Sequence, residues 1–163
     1  MNDRKTFYYM DDPTKPIRAG GVLLFNQQKS KIKLLMIKKT HQLMYEDIGG
    51  KTSSFDDNIF ETISREVSEE TNNLINSEII KKQMQFGKCF YMSHAKYLLI
   101  IVKANPYERR LKGIDFGDKE IHDDIDRTFE WINLNDFLED KLIVNPRLHS
   151  SELKEYLSEC FTN

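Results

Sequence analysis

Runs of apolar residues predict a series of buried strands along the chain. Two of these runs, from about Ala19 to Phe25 and from Ile32 to Lys38, flank a polar turn and predict a hairpin. Lys88 to Met92 and Lys96 to Lys103 predict a second hairpin, and Phe129 to Ile132 predicts a short later strand. The chain therefore contributes several strands to a central sheet.

A helical pattern lies between the two hairpins. From about Asn58 to Thr71, the residues Ile59, Ile63, Val67 and Phe60 fall on one arc of a helix, which we expect to face the core. This helix is the strongest helical prediction in the chain.

Shorter signals complete the predicted order of elements. Gly49-Gly50 marks a loop before the helix, and a short helix or loop continues after it to Met84. A short helix is predicted at residues 135–138, and an amphipathic helix begins at Ser150. Strands with interspersed helices are typical of an α+β or α/β sandwich.

Composition and charge narrow the classes of function. The chain has 163 residues, of which 39% are hydrophobic, enough for one domain with a sizeable core. We expect a single domain over residues 1–163, with an N-terminal arm or strand at 1–16 and the amphipathic helix at 150–163. A net charge of −2 weakens the case for a domain built mainly to bind nucleic acid.

No feature of the sequence predicts export or membrane insertion. The apolar run Tyr97 to Val102 is too short to cross a bilayer, and the charged first residues lack the apolar stretch of a secretory signal. Cys89 and Cys160 are far apart, so we expect two buried thiols and no disulfide framework. We expect a soluble, intracellular protein of the cytoplasm, or of the host cytoplasm if the source is a virus, with no membrane partner.

Three glutamates on the predicted helix are the candidate chemistry. Glu66, Glu69 and Glu70 are spaced at i, i+3 and i+4, so we expect their carboxylates to cluster on an arc next to the apolar one, where Arg65 offsets part of the charge. One interpretation is a solvated acidic helix face, which is what a charge run usually is. The other is a site for a hard divalent cation, which prefers carboxylate oxygens. The spacing alone does not choose between them.

The segment from Gly50 to Asn73 resembles the Nudix box, G-x5-E-x7-R-E-U-x-E-E-x-G-U, where U is a bulky aliphatic residue. Residues 65–70, Arg-Glu-Val-Ser-Glu-Glu, match the central R-E-U-x-E-E without a gap. The first strand pair, the strand at residues 97–102 and Glu130-Trp131-Ile132 also have the family's order, so the similarity extends from about residue 19 to 137. The resemblance implies a Nudix-like α/β/α sandwich with a mixed sheet.

The sequence departs from this pattern on both sides of its centre. Counted back from Arg65, the first glutamate falls on Asp57 and the glycine on Lys51, so that Gly50 comes one residue early and the loop has an insertion. At the helix end, Asn72 and Asn73 replace the glycine and the aliphatic residue. Asn72 suits a left-handed position after a helix, and Leu74 can replace the lost aliphatic contact.

The resemblance implies a role for each matching residue. Glu66, Glu69 and Glu70 would coordinate Mg²⁺ or Mn²⁺, with the carbonyl of Gly49 or Gly50 as a further ligand. Arg65 would orient the glutamates through hydrogen-bonded ion pairs.

For the general base and for the contacts to the substrate phosphates, the resemblance leaves several candidate residues. Glu69 is the first choice for the general base and Glu66 the second, while the later acidic loop with Glu120, Asp123, Asp124 and Asp126 offers further candidates. Lys51 and Gly50 would lie near the phosphates of the substrate.

The implied activity is Mg²⁺-dependent hydrolysis of a diphosphate linkage in a nucleoside diphosphate derivative, a nucleotide-type small molecule. Removal of the mRNA cap is an alternative, because REVSEET is similar to decapping members, and capped RNA would then be the partner. A non-catalytic nucleotide-binding sensor is another, although it would not need three clustered glutamates, whose repulsion costs stability. The sequence also permits a homodimer.

Overall fold

Long apolar strands form the centre of the fold in the computed structural model, which describes residues 3–161. These residues contain ten strands: β1 (Phe7–Tyr8), β2 (Pro16–Ile17), β3 (Ala19–Gln28), β4 (Lys31–Lys39), β5 (Tyr45–Glu46), β6 (Ile48–Lys51), β7 (Lys88–Met92), β8 (Tyr97–Lys103), β9 (Lys119–Glu120) and β10 (Ile125–Asn133). They also contain five α-helices: α1 (Ile59–Glu70), α2 (Ser77–Met84), α3 (Pro106–Arg109), α4 (Leu134–Leu138) and α5 (Ser151–Phe161). Residues 1, 2, 162 and 163 of the predicted arm and C-terminal helix lie outside the described residues.

The strands of residues 3–161 build one large mixed sheet and one small ribbon. The large sheet has eight strands in the order β7-β8-β3-β4-β10-β9, with β6 paired to β3 and β5 paired to β4. The pair β3–β8 is parallel, and the other pairs are antiparallel. The ribbon consists of β1 and β2, so the predicted N-terminal arm includes a short strand.

Helices cover both faces of the large sheet. Side chains from α1 and α2 pack on one face, and side chains from α4 and α5 pack on the other. Strand β8 is apolar from Tyr97 to Val102 because Leu98 and Ile100 enter one core while Leu99 and Ile101 enter the other. This architecture confirms the predicted α/β/α sandwich with a mixed sheet. A single domain over residues 1–163 stays a prediction.

Two local predictions were wrong. Gly49 and Gly50 lie in strand β6, paired with Gly21 and Gly20 of β3, and not in a loop. The strand needs glycine because a Cβ on Gly49 would overlap the backbone of β3. Phe60 does not join the core arc of α1: its side chain is exposed at the edge of that arc.

No helix within residues 3–161 is long and apolar enough to span a membrane. Both cysteines are free thiols, as predicted, but the prediction that they are buried was wrong, since Cys89 is half-buried and Cys160 is exposed.

Candidate active site

The C-terminal half of α1 presents Glu66 and Glu70 on its buried side. At about 100° per residue, Glu70 falls between Ile59 and Ile63 on the helix surface, in the middle of the core-facing arc. It is only 5% exposed, whereas the sequence-based interpretation placed all three glutamates on a neighbouring arc. Only Glu69 lies on the outer side of the helix, toward Arg65.

Strand β6 fits closely against Glu66. A Cβ on Gly50 would overlap the carboxyl group of Glu66, so the glycine allows this side chain to lie directly over the strand. Burial raises the pKa of Glu66, and the charge of Arg65 only partly opposes this shift. The position of the carboxylate therefore depends on both the glycine and the arginine.

Arg65 connects the helix with the segment that precedes it. Its guanidinium donates to both carboxylate oxygens of Asp56 at 3.2 and 3.0 Å, to the carbonyl of Lys51 at 3.1 Å and to Glu66 at 3.0 Å. Glu69 lies 3.6 Å from the same guanidinium. The arginine thus forms a hydrogen-bonded ion pair with Glu66 and a longer ion pair with Glu69.

The carboxylate that holds Arg65 is Asp56, whereas counting residues back from Arg65 aligned the first glutamate of the pattern with Asp57. Asp56 is 3% exposed and also accepts hydrogen bonds from Thr62 Oγ1 at 2.7 Å and from the Ser53 amide at 2.8 Å, while Asp57 is exposed. Burial alone would raise the pKa of Asp56, but hydrogen bonds from Arg65, Thr62 and Ser53 lower it.

Glu70 has too few partners for a buried carboxylate. Its Oε1 lies 3.8 Å from Lys39 Nζ, and its buried Oε2 has no hydrogen-bond partner among the described residues. Burial holds the pKa of Glu70 well above its usual range. An unsatisfied buried carboxylate oxygen is costly, and it is free to accept a cation or a proton.

The later acidic loop, within which the sequence did not single out one candidate base, contributes Glu120 to the region beside Glu66 and Glu70. Glu120 is 2% exposed, and burial followed by the charge of Asp123 raises its pKa. Asp124 and Asp126 instead pair with Lys119, at 3.0 and 3.8 Å. The contacts of Glu120 therefore differ from those of Asp124 and Asp126.

Two residues hold the Glu120 loop against the end of α1. Asn72, in the left-handed conformation at φ 53°, donates to the carbonyls of Phe116 and Lys119 and accepts from the Ile121 amide. Its predicted conformation is confirmed. Arg127, fully buried, donates to the carbonyls of Glu70, Phe116 and Gly117.

A cavity of about 1440 Å³ opens beside these carboxylates. The sequence-predicted residues that line it are Gly49, Gly50, Lys51, Glu66 and Glu70. Glu120 and Asp123 also line it, whereas Arg65 and Glu69 lie outside its walls. Glu69 is instead 3.7 Å from His122. Glu69, the first choice for the general base, thus does not line the cavity.

The donor chemistry of this wall suits a hard divalent cation, but its side chains do not converge. Among residues 3–161, no group of three or more His, Cys, Asp or Glu side chains is arranged so that it could hold a metal ion. The unpaired Oε2 of Glu70 and the carboxylate of Glu66 are the oxygen donors that face the cavity from α1.

Sequence reasoning missed three residues of the site. Asp56 lay one position from the residue chosen, and a signal existed, since Gly50 and Asp56 keep the G-x5-E spacing of the pattern. Arg127 occupies an inward position in β10, in phase with Phe129, which is an unusual place for a charge. Nothing in the sequence indicated that Lys39, at the end of β4, would approach Glu70.

The chain matches no protein-family model and no curated protein. Solved structures with a similar fold include a C. elegans Ap4A hydrolase binary complex, which is 17% identical with a TM-score of 0.50 and aligns over 88% of this chain and 94% of that one. The MutT protein of Bacillus halodurans is 16% identical with a TM-score of 0.46, over 90% and 82% of the two chains. NrtR of Shewanella oneidensis is 15% identical with a TM-score of 0.47, over 86% and 63%.

The agreement with the first of these structures covers most of both chains. The chain therefore has the Nudix fold.

Proposed function

We propose that the protein is a hydrolase that cleaves a diphosphate linkage in a nucleotide derivative. The observation that carries this proposal is the placement of Glu66, Glu70 and Glu120 on one wall of a single cavity, with the buried Oε2 of Glu70 unpaired. Clustered buried carboxylates destabilise a fold unless a cation or a reaction compensates them. The solved structure of C. elegans Ap4A hydrolase, similar in fold, supports a nucleotide substrate.

Mg²⁺ or Mn²⁺ is the proposed cofactor, with Glu66 and Glu70 as its first ligands. When bound, such an ion neutralises phosphate charge and lowers the pKa of water. The carbonyl of Gly49 or Gly50, in the strand next to Glu66, is a further proposed ligand. Glu69 is the third proposed carboxylate ligand. Glu69 joins this set only by leaving Arg65 and His122.

The residues of the chain supply substrate contacts and a base. Lys51 lines the cavity next to Gly50 and can bind a phosphate of the substrate. For the general base, the geometry supports Glu66 and Glu120 more than Glu69, because these two line the cavity and Glu69 does not. The raised pKa of Glu120 suits a group that takes a proton from water near neutral pH.

The test is turnover of a substrate panel by the full chain, with Mg²⁺, with Mn²⁺ and with a chelator. The panel comprises a nucleoside diphosphate sugar, a dinucleoside polyphosphate, a nucleoside triphosphate and capped RNA. Glu66→Gln, Glu70→Gln, Glu69→Gln and Glu120→Gln are compared with Glu78→Gln, a control on α2 whose side chain is 74% exposed.

Metal-dependent release of products that falls at least about 100-fold in Glu66→Gln and Glu70→Gln, but not in Glu78→Gln, is the expected result. A smaller loss of turnover in Glu69→Gln than in Glu120→Gln would indicate that the general base lies in the cavity. Turnover of capped RNA alone would favour decapping. No turnover of any substrate, together with a nucleotide that raises Tm, would replace the hydrolase by a sensor.

A further inference from the structure

Two arginines of the N-terminal part of the chain lie side by side in the wall of the same cavity. Arg18 donates from Nη1 to the carbonyl of Arg4 at 2.8 Å and to Thr6 Oγ1 at 2.9 Å. Arg4 in turn donates from Nη2 to the carbonyl of Arg18. These reciprocal bonds hold two positive charges together, which is unfavourable unless an anion lies between or beside them.

The chain does not supply that anion. Within residues 3–161, no carboxylate lies within 4.0 Å of either guanidinium, whereas Arg65 and Arg147 pair with Asp56 and Asp47 at 3.0 and 2.8 Å. Arg4 Nε is buried and has no hydrogen-bond partner among the described residues. Burial, followed by the charge of Arg18, lowers the pKa of Arg4. Donor capacity on both side chains therefore remains available to a ligand.

The arginine pair is joined directly to the strand that carries the candidate site. The Thr52 amide donates to the carbonyl of Arg18 at 3.1 Å, so Arg18 lies next to Lys51 and Gly50 at the end of β6. The Arg18 amide donates to the carbonyl of Lys96 at 2.7 Å on the other side.

The lining of the cavity consequently carries groups of both charges. Glu66, Glu70 and Glu120 contribute carboxylates, and Arg4, Arg18, Lys51 and Lys96 contribute cationic side chains. A ligand with phosphates at only one point would leave the arginines unpaired, whereas a ligand with a further anionic group would neutralise them.

We propose that Arg4 and Arg18 form an anion subsite for an additional phosphoryl group of the substrate. This group is not one of the two phosphoryl groups of the cleaved diphosphate linkage. Two adjacent guanidiniums offer paired N–H donors that match phosphate oxygens. This inference rests on the proposed function, since it makes the substrate a nucleotide derivative with at least three phosphoryl groups. The third group belongs either to a polyphosphate chain or to a separate phosphorylated sugar.

The first test measures binding without metal or catalysis. Calorimetric titration of the full chain with inorganic tripolyphosphate in the presence of a chelator gives its Kd. We expect Kd to rise about tenfold or more in Arg4→Gln and in Arg18→Gln, the effect of losing a charge-assisted hydrogen bond. Arg18→Lys should recover part of the affinity because it keeps the charge.

The matched control for this titration is Arg110→Gln, which removes an exposed arginine outside the cavity and should leave Kd unchanged. Thermal unfolding of each variant shows whether the N-terminal arm is still folded, because Arg18 also holds the backbone of Arg4. Equal Kd values in the folded Arg4→Gln, Arg18→Gln and Arg110→Gln variants would overturn the subsite.

The second test uses turnover to identify the source of the phosphoryl group. Three substrates are compared: a nucleoside diphosphate sugar, a dinucleoside tetraphosphate, and a nucleoside diphosphate sugar with an extra phosphate on its ribose. We expect Arg18→Gln to raise KM about tenfold for one of the last two and to leave the first unchanged. An equal effect on all three would contradict a subsite for an additional phosphoryl group.

The two tests separate this inference from the proposed function. If no substrate is turned over but tripolyphosphate binding depends on Arg4 and Arg18, the hydrolase proposal fails and the anion subsite stands. If turnover depends on Glu66 and Glu70 but neither binding nor KM depends on the arginines, the hydrolase stands and the subsite fails.

Discussion

Asp56 and Asp57 are chemically alike and adjacent, yet their surroundings are opposite. Asp56 is buried and accepts from Arg65, Thr62 and Ser53, whereas Asp57 is exposed. Gly50 and Asp56 keep the spacing expected for the pattern, so the extra residue lies between Asp56 and Arg65. Asn58, which caps α1 by accepting from the Glu61 amide at 3.0 Å, lies in this lengthened segment.

The two aspartates form a matched pair for a stability measurement. Asp56→Asn leaves the Arg65 guanidinium beside a neutral side chain, and we expect a loss of about 2 kcal/mol, or roughly 4–8 °C in Tm. Asp57→Asn should change the free energy of unfolding by less than about 0.5 kcal/mol. Thermal or urea unfolding of both variants checks this, and similar values for the two would contradict the placement of Arg65 on Asp56.

At the scale of elements, the site depends on how the end of α1 meets the loop before β10. Asn72 combines a left-handed backbone with three hydrogen bonds to residues 116–121. Glycine would satisfy the backbone equally well, but it would not hold the loop. Asn72 thus has a second structural role beside ending the helix: it holds in place the loop that carries Glu120.

Asn72→Gly separates the two roles of this side chain. The helix end should remain intact, while the Ile121 amide loses its acceptor and should exchange its hydrogen at least about tenfold faster. Asn73→Gly is the control, since Asn73 is also left-handed at φ 65° but bonds within the helix end, accepting from Ser68. Amide exchange followed by mass spectrometry or NMR measures both variants, and equal exchange at Ile121 in native protein and Asn72→Gly would refute the tether.

The sequence allowed the elements to be predicted better than the contacts between them. Apolar runs identified β3, β4, β7 and β8 because both faces of these strands are buried. The strand position of Gly49-Gly50 could not be read in the same way, since it depends on the close approach of β3 and Glu66. Glu120 lies about 50 residues from Glu70 in sequence, and only the path of the chain around the sheet brings it to the cavity.

At the scale of the whole molecule, the net charge of −2 conceals a strong separation of charge. Glu66, Glu70 and Glu120 are concentrated on one wall of the cavity, and burial raises the pKa of each. In a group of this kind the folded protein binds its proton more tightly than the unfolded chain does. The associated stability is present at acidic pH and is lost as the pH rises through the raised pKa values.

This charge distribution predicts how stability responds to pH and to metal. Without divalent cations, Tm should fall as the pH rises from about 5 to 8, because burial opposes the ionisation of Glu66, Glu70 and Glu120 more than Arg65 and Lys39 favour it. Mg²⁺ or Mn²⁺ at about 100 times its Kd should raise Tm at pH 8 by roughly 5–10 °C, since binding stabilises only the folded state. Glu70→Gln should flatten the pH dependence and reduce the effect of metal, while Glu78→Gln should change neither.

Differential scanning calorimetry across this pH range measures Tm for the native protein and both variants. A Tm of the native protein that rises with pH in the presence of a chelator would show that these carboxylates have partners other than a cation.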